Sequence, residues 1–228
     1  MQSLCKSSLS KQSHVSHRPI SPGRLHVRVC VFCSSSDRLS VEYRSLAEET
    51  GAALAASGHQ LVYGGGSIGL MGIVARAVHQ GGGRVVGVIP RALRDYGLAY
   101  EDADELVVTA TLRERKAAME ERADAFLALP GGIGTLEEVL EIVTLKQLLY
   151  HSKAVVLLNA CGYFDDLLAQ LERSIAEGFA RPEMRGLYHV SPTVSAALAY
   201  LAAYVPGPAA DKWLRDLAPQ ATEAMEGP

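Results

Sequence analysis

From position 27 onward, short runs of branched apolar residues alternate with longer stretches whose apolar positions recur every three to four residues. The short runs predict strands at 27–34, 60–63, 84–89, 105–109, 125–129, 154–158 and about 188–190. The longer stretches predict helices at 41–57, 69–80, 112–123, 136–150, 163–177 and 194–204. The run at 125–129 is apolar throughout and bounded by Pro130, which marks a buried parallel strand. Strict alternation of strand and helix implies right-handed crossovers and a parallel sheet covered on both faces. The expected fold class is therefore α/β: a Rossmann-like, doubly wound parallel sheet in three α/β/α layers, forming a single domain over 25–206. Residues 1–24, rich in Ser, His, Lys and Arg with no apolar period, read as a disordered extension. Residues 207–228 read as a tail rich in Ala and Pro, with one short helix at 211–217.

In such a sheet a ligand binds beyond the C-terminal ends of the strands, near the point where the strand order reverses. That rule selects the loops at 34–36, 64–67, 111–116 and 130–138. The last of these carries Pro130-Gly131-Gly132-Ile133-Gly134-Thr135-Leu136-Glu137-Glu138. Gly131, Gly132 and Gly134 suit a loop whose amides face an anion. Thr135 is the expected cap of the next helix, which would aim free N–H groups and the positive end of the helix dipole at a phosphate. Glu138, three residues on, has two readings. It is either a carboxylate poised beside the bound group or the second half of a capping box with Thr135.

Gly64-x-Gly66-x-x-Gly69 formally matches the dinucleotide fingerprint, but the acidic residue expected about twenty positions later is missing, and the next strand ends in Pro90-Arg91. The alternative is a tight turn with close helix-to-sheet packing. No Walker pattern occurs. Thr111-x-x-Glu114 is a second capping box, which puts Arg115 and Lys116 in the first turns of a helix, where the dipole disfavours cations and an anion should compensate. Together, two glycine loops with opposed helix N-termini predict one electropositive cleft sized for a mononucleotide.

Composition bounds these readings. The 228 residues, 48% of them hydrophobic and 21% charged, allow one sizeable core, and a net charge of −3 gives no global pull towards nucleic acid or an anionic membrane. The longest apolar runs fall short of a membrane span, and the start of the chain lacks the apolar core of a secretory signal, so a cytoplasmic protein is expected. Four cysteines are too few and too scattered for a disulfide framework. Cys30 and Cys33, three apart in one strand, should face opposite sides of the sheet, which argues against a redox or zinc pair. No metal and no cofactor are expected.

The string from Pro130 to Glu138 resembles the Pro-Gly-Gly-x-Gly-Thr-x-x-Glu signature of the LOG family, the cytokinin riboside 5′-monophosphate phosphoribohydrolases once labelled lysine decarboxylases. The segment from Val62 to Gly72, with Gly64, Gly65, Gly66 and Met71, is similar to a second family segment. Val31 to Ser36, with Ser35, is similar to a third, and the resemblance extends over 28–190. It implies hydrolysis of the N-glycosidic bond of an N6-modified adenosine monophosphate, or AMP itself, to free base and ribose 5-phosphate. Arg115 and Glu138 match the family's catalytic pair. Substrate is then expected at Ser35, Gly64, Gly65, Gly66, Met71, Lys116, Gly131, Gly132, Ile133, Gly134 and Thr135, and the assembly is expected to be a homodimer. The chain departs from the family at Ser34, Gly97, Arg113, Leu145 and Lys146, and the changes at Gly97 and Leu145 fall where base or ribose contacts are expected. A non-catalytic carrier like the related molybdenum-cofactor carriers is the alternative. A pyridoxal-dependent decarboxylase would need a Schiff-base lysine, and Lys116 is the lysine expected in the cleft.

Overall fold

The computed structural model describes residues 27–206. The predicted extension at 1–24 and tail at 207–228, with its short helix, lie outside the described residues. In chain order the elements are β1 (Arg28–Phe32), α1 (Val41–Ala56), β2 (Gln60–Tyr63), α2 (Gly69–Gln80), β3 (Val85–Pro90), α3 (Arg91–Asp95) and β4 (Glu105–Thr109). There follow α4 (Leu112–Arg122), β5 (Ala125–Ala128), α5 (Ile133–Gln147), β6 (Ala154–Leu158), α6 (Asp165–Ala176), β7 (His189–Ser191) and α7 (Val194–Ala203). Each predicted strand and helix within the described residues is present. The structure adds α3, whose five residues are too few to show a helical period. It also starts α5 three residues earlier than the expected 136.

The seven strands form one sheet in the order β4-β3-β2-β1-β5-β6-β7, with every neighbouring pair parallel. The chain winds outward from β1 to β4, then returns to lay β5 on the other side of β1. The order therefore reverses between β1 and β5, and the loops that leave these two strands diverge there to open a crevice.

Alternation along β1 divides the core. Val29, Val31 and Cys33 pack with Leu54 of α1, Val74 of α2 and Leu201 of α7 on one face. Cys30 and Phe32 pack with Met119 of α4 and Val139 and Ile142 of α5 on the other. The two cysteines thus lie on opposite sides of the sheet, as their spacing predicts. Phe32 stacks on Phe126 of β5 at 5.9 Å between centroids, which locks the two strands that flank the crevice. Each apolar side chain fully withdrawn from water here contributes about 1.5–3 kcal/mol, so the strands form a rigid floor for the loops above them. No helix among the described residues is long and apolar enough to cross a membrane.

Candidate active site

A cavity of about 510 Å³ opens at the reversal point. Cys33 and the serines at 34–36 leave β1 along one wall, and Gly64, Gly66, Ile68 and Met71 follow β2 along the next. Ile89, Leu93 and Leu98 supply an apolar side, while Arg115 comes from α4 and residues 132–135 with Glu138 from α5.

Arg115 is held at its base by α4. The Thr111 hydroxyl accepts from the Glu114 N–H at 3.1 Å, and the Glu114 carboxylate accepts from the Ala110 N–H at 2.9 Å. The expected capping box is therefore formed, reaching back one residue beyond the cap. The guanidinium donates from Nη1 to Glu138 Oε1 at 2.9 Å, from Nε to the Val88 carbonyl at 3.1 Å and from Nη2 to the Gly64 carbonyl at 3.3 Å. Both side chains of the ion pair are only about a tenth exposed, at 12% and 11%. Gly64 makes this possible, because a Cβ there would lie 1.8 Å from Arg115 Nη2. Burial pushes the Glu138 carboxyl above its ordinary value, and the Arg115 charge only partly opposes that shift.

The N-terminus of α5 corrects one expectation. Its cap is Gly132, in extended backbone with no side-chain cap, and Thr135 is already inside the first turn and buried. The helix starts early because Gly131 lacks a side chain. The Thr135 hydroxyl fills the space that a Cβ on Gly131 would occupy, at 2.1 Å, which draws the Thr inward and the turn closed. Glu138 consequently sits more than a turn into the helix and pairs with Arg115, so the capping-box reading of Thr135 and Glu138 is overturned. Among the described residues, the N–H groups of Gly132, Ile133 and Gly134 have no protein partner, and they lie at the positive end of a fifteen-residue helix. Gly131 does not line the cavity; its carbonyl accepts from the Tyr163 hydroxyl at 2.6 Å.

The second helix terminus is different. The Asp37 carboxylate accepts from the Gly69 N–H at 2.7 Å, and the Ser34 carbonyl accepts from the Met71 N–H at 3.2 Å. Gly69 permits this with φ +61° and a close approach to Ser35, whose carbonyl carbon would lie 2.4 Å from a Cβ. The start of α2 is thus filled by the β1–α1 loop, and the two opposed anion sites expected from sequence reduce to one.

Three further expectations move. Gly65 backs onto Val88 and Ile89 of β3 rather than lining the cavity. Lys116 turns away to pair with Glu137 and, at 2.8 Å, with Glu141 on the outer side of α5. Burial alone would lower its pKa, but the two carboxylates outweigh that and raise it. Leu145 and Lys146 do not reach the cavity either. Lys146 is buried with Nζ 5.0 Å from the Tyr204 ring, and burial lowers its pKa to about 8. Gly97 does not line the cavity either: it is exposed, with φ +75°, and turns the chain just ahead of Leu98, which does. The segment after α3 folds back on the glycine loop through Ser67 N–H to Leu98 carbonyl and Tyr100 N–H to Gly65 carbonyl, each 2.9 Å. Leu93, Leu98, Ile68 and Ile89 escaped the reading of the sequence because that return is long-range; only Gly97, just ahead of Leu98, hinted at a turn.

A parallel sheet whose order reverses beside a cavity, with one helix N-terminus that the protein leaves unpaired and a buried arginine–carboxylate pair in the same cavity, defines a Rossmann-like protein of the doubly wound class. The family model described as possible lysine decarboxylase matches residues 71–201. The chain is 49% identical over 181 residues to the probable cytokinin riboside 5′-monophosphate phosphoribohydrolase LOGL5 of Oryza sativa subsp. japonica, covering 79% of this chain and 74% of that one. It is 45% identical to the cytokinin riboside 5′-monophosphate phosphoribohydrolase LOG3 of Arabidopsis thaliana, covering 78% and 83%. The protein belongs to the LOG family. Among solved structures, TM1055 shares the fold with a TM-score of 0.59 and 26% identity, over 77% of this chain and 98% of that one. The molybdenum-cofactor carrier protein of Chlamydomonas reinhardtii shares it with a TM-score of 0.59 and 23% identity, over 77% and 95%.

Proposed function

We propose that this protein is a phosphoribohydrolase that cleaves the N-glycosidic bond of N6-modified adenosine 5′-monophosphate, and of AMP, to free base and ribose 5-phosphate. The observation that carries the reading is the buried Arg115–Glu138 pair at 2.9 Å, set within one cavity beside the open amides of α5. The 5′-phosphate sits on the N–H groups of 132–135, where the helix dipole favours a dianion. The base lies along the apolar side formed by Met71, Leu93 and Leu98, with Ser35, Gly64 and Gly66 bordering the ribose.

As the bond from C1′ to the base nitrogen breaks, its electron pair leaves with the base and positive charge builds on the ribose ring. The Glu138 carboxylate stabilises that charge more in the transition state than in the ground state. Water adds its oxygen to C1′ and gives one proton to Glu138; that proton passes on, directly or through solvent water, to the nitrogen of the departing base, which restores the carboxylate. A carboxyl raised above its ordinary value is the stronger base for this transfer, and Arg115 fixes which oxygen faces the sugar. The activity resides in the unit at 25–206, with Glu138 and Arg115 catalytic. The protein works in the cytoplasm as a homodimer. Leu140 of α5 and Leu148 at its C-terminal cap support the dimer: they remain exposed at 40% and 41%, while Val139 and Val143 on the helix are buried against the chain's own sheet.

The test is to incubate the protein with AMP and isopentenyladenosine monophosphate and to separate free base and ribose 5-phosphate by chromatography. Release from either, reduced about 10²–10⁴-fold in Glu138→Gln, is expected. Tight binding of both without release would instead favour a carrier.

A further inference from the structure

Tyr163 lies outside the cavity, yet it is tied to the loop that would hold the phosphate. Its hydroxyl donates to the Gly131 carbonyl at 2.6 Å. The ring is fixed on two sides, edge-on to Tyr43 of α1 at 5.8 Å and edge-on to Phe164 at 5.1 Å. Phe164 is itself buried, and its N–H donates to Asn159 Oδ1 at 2.7 Å, so the ring of Tyr163 is held from the turn after β6 as well as from α1.

A trans peptide points its C=O and its N–H in opposite directions. Drawing the Gly131 carbonyl outward to Tyr163 therefore turns the Gly132 N–H the other way, and Gly132 lines the cavity. This peptide joins two glycines, so side-chain sterics restrain its orientation less than that of any other residue pair would. The geometry points to Tyr163 as a positioning residue that sets the first amide of the anion-binding turn. It touches no reacting atom. The inference rests on the phosphate placement proposed above and deepens it: the phosphate end of the substrate, not its base, reads the Tyr163 hydroxyl.

Tyr163→Phe removes the hydroxyl and leaves the ring packing. In the full-length protein, KM for AMP is expected to rise about 3–10-fold, the effect of losing one ordering hydrogen bond, with kcat unchanged. Inhibition by ribose 5-phosphate should weaken by the same factor while inhibition by free adenine stays as in the wild type. An unchanged KM with unchanged ribose 5-phosphate inhibition overturns the proposal, and so does a parallel loss for ribose 5-phosphate and adenine, which would mark general loosening of the site. A wild-type protein that ribose 5-phosphate does not inhibit at all would sink the phosphate placement itself, and the role of Tyr163 with it.

Discussion

Replacing Arg115 by methionine keeps an unbranched side chain in place and removes its charge, leaving the Glu138 carboxylate buried without its cation. At about 4 Å between charge centres and an effective dielectric near 20, the lost attraction is about 4 kcal/mol, within the roughly 3–5 kcal/mol found when one member of a buried pair is deleted. The penalty depends on pH, and its sign follows from Glu138. A carboxyl whose folded value is raised contributes stability that is full below its ordinary value of 4.5 and is lost as pH rises through the folded value. Without Arg115 that folded value moves further up, so the variant goes on losing stability to a higher pH than the wild type does. Urea titrations should therefore show the full penalty near pH 8. Towards lower pH, below the ordinary value of 4.5, Glu138 takes up its proton, and what remains is the cost of the Val88 and Gly64 carbonyls that lose their donor, about 1 kcal/mol each. Pairing the change with Glu138→Gln should recover most of the loss at pH 8. Equal penalties at high and low pH, or no recovery in the double variant, would refute a buried charge pair at this position.

Gly64→Ala places a methyl where Arg115 Nη2 now lies, so the guanidinium must leave Glu138; kcat should fall about as far as in Arg115→Met, while melting shows a chain still folded. Gly134→Ala meets nothing within 4 Å and lies within α5, so it should raise stability by about 0.5–1 kcal/mol in urea, yet raise KM by bringing a methyl towards the phosphate. Lys116→Met should leave KM for AMP unchanged, because its ammonium is engaged by Glu137 and Glu141; a large rise in KM would return Lys116 to the cavity.

The alternation of apolar runs with helical periods is local, and it sufficed for the strands, the longer helices and the parallel sheet, since each element must bury its own apolar face. The motif from Pro130 to Glu138 likewise announced a glycine turn opening into a helix, because glycine placement and helix initiation are short-range matters. Which residue caps that turn was not legible. Thr135 carries the better capping side chain, but the vacancy beside Gly131 draws it inward, a contact that no propensity encodes. Asp37 shows the same limit: only the fold brings a carboxylate from the β1–α1 loop to the first amide of α2, thirty-two residues on, and so closes an anion site that the sequence leaves open.

What the chain determined by itself was the kind of fold, the position of the glycine turns and the identity of the Arg115 and Glu138 side chains. What tertiary structure decided was their pairing, the filling of one helix end, the outward turn of Lys116 and the apolar wall around Leu93 and Leu98. The division has one physical cause. Periodicity and turn chemistry act between residues a few positions apart, whereas burial, charge pairing and close approach act across elements that only the packed sheet brings together.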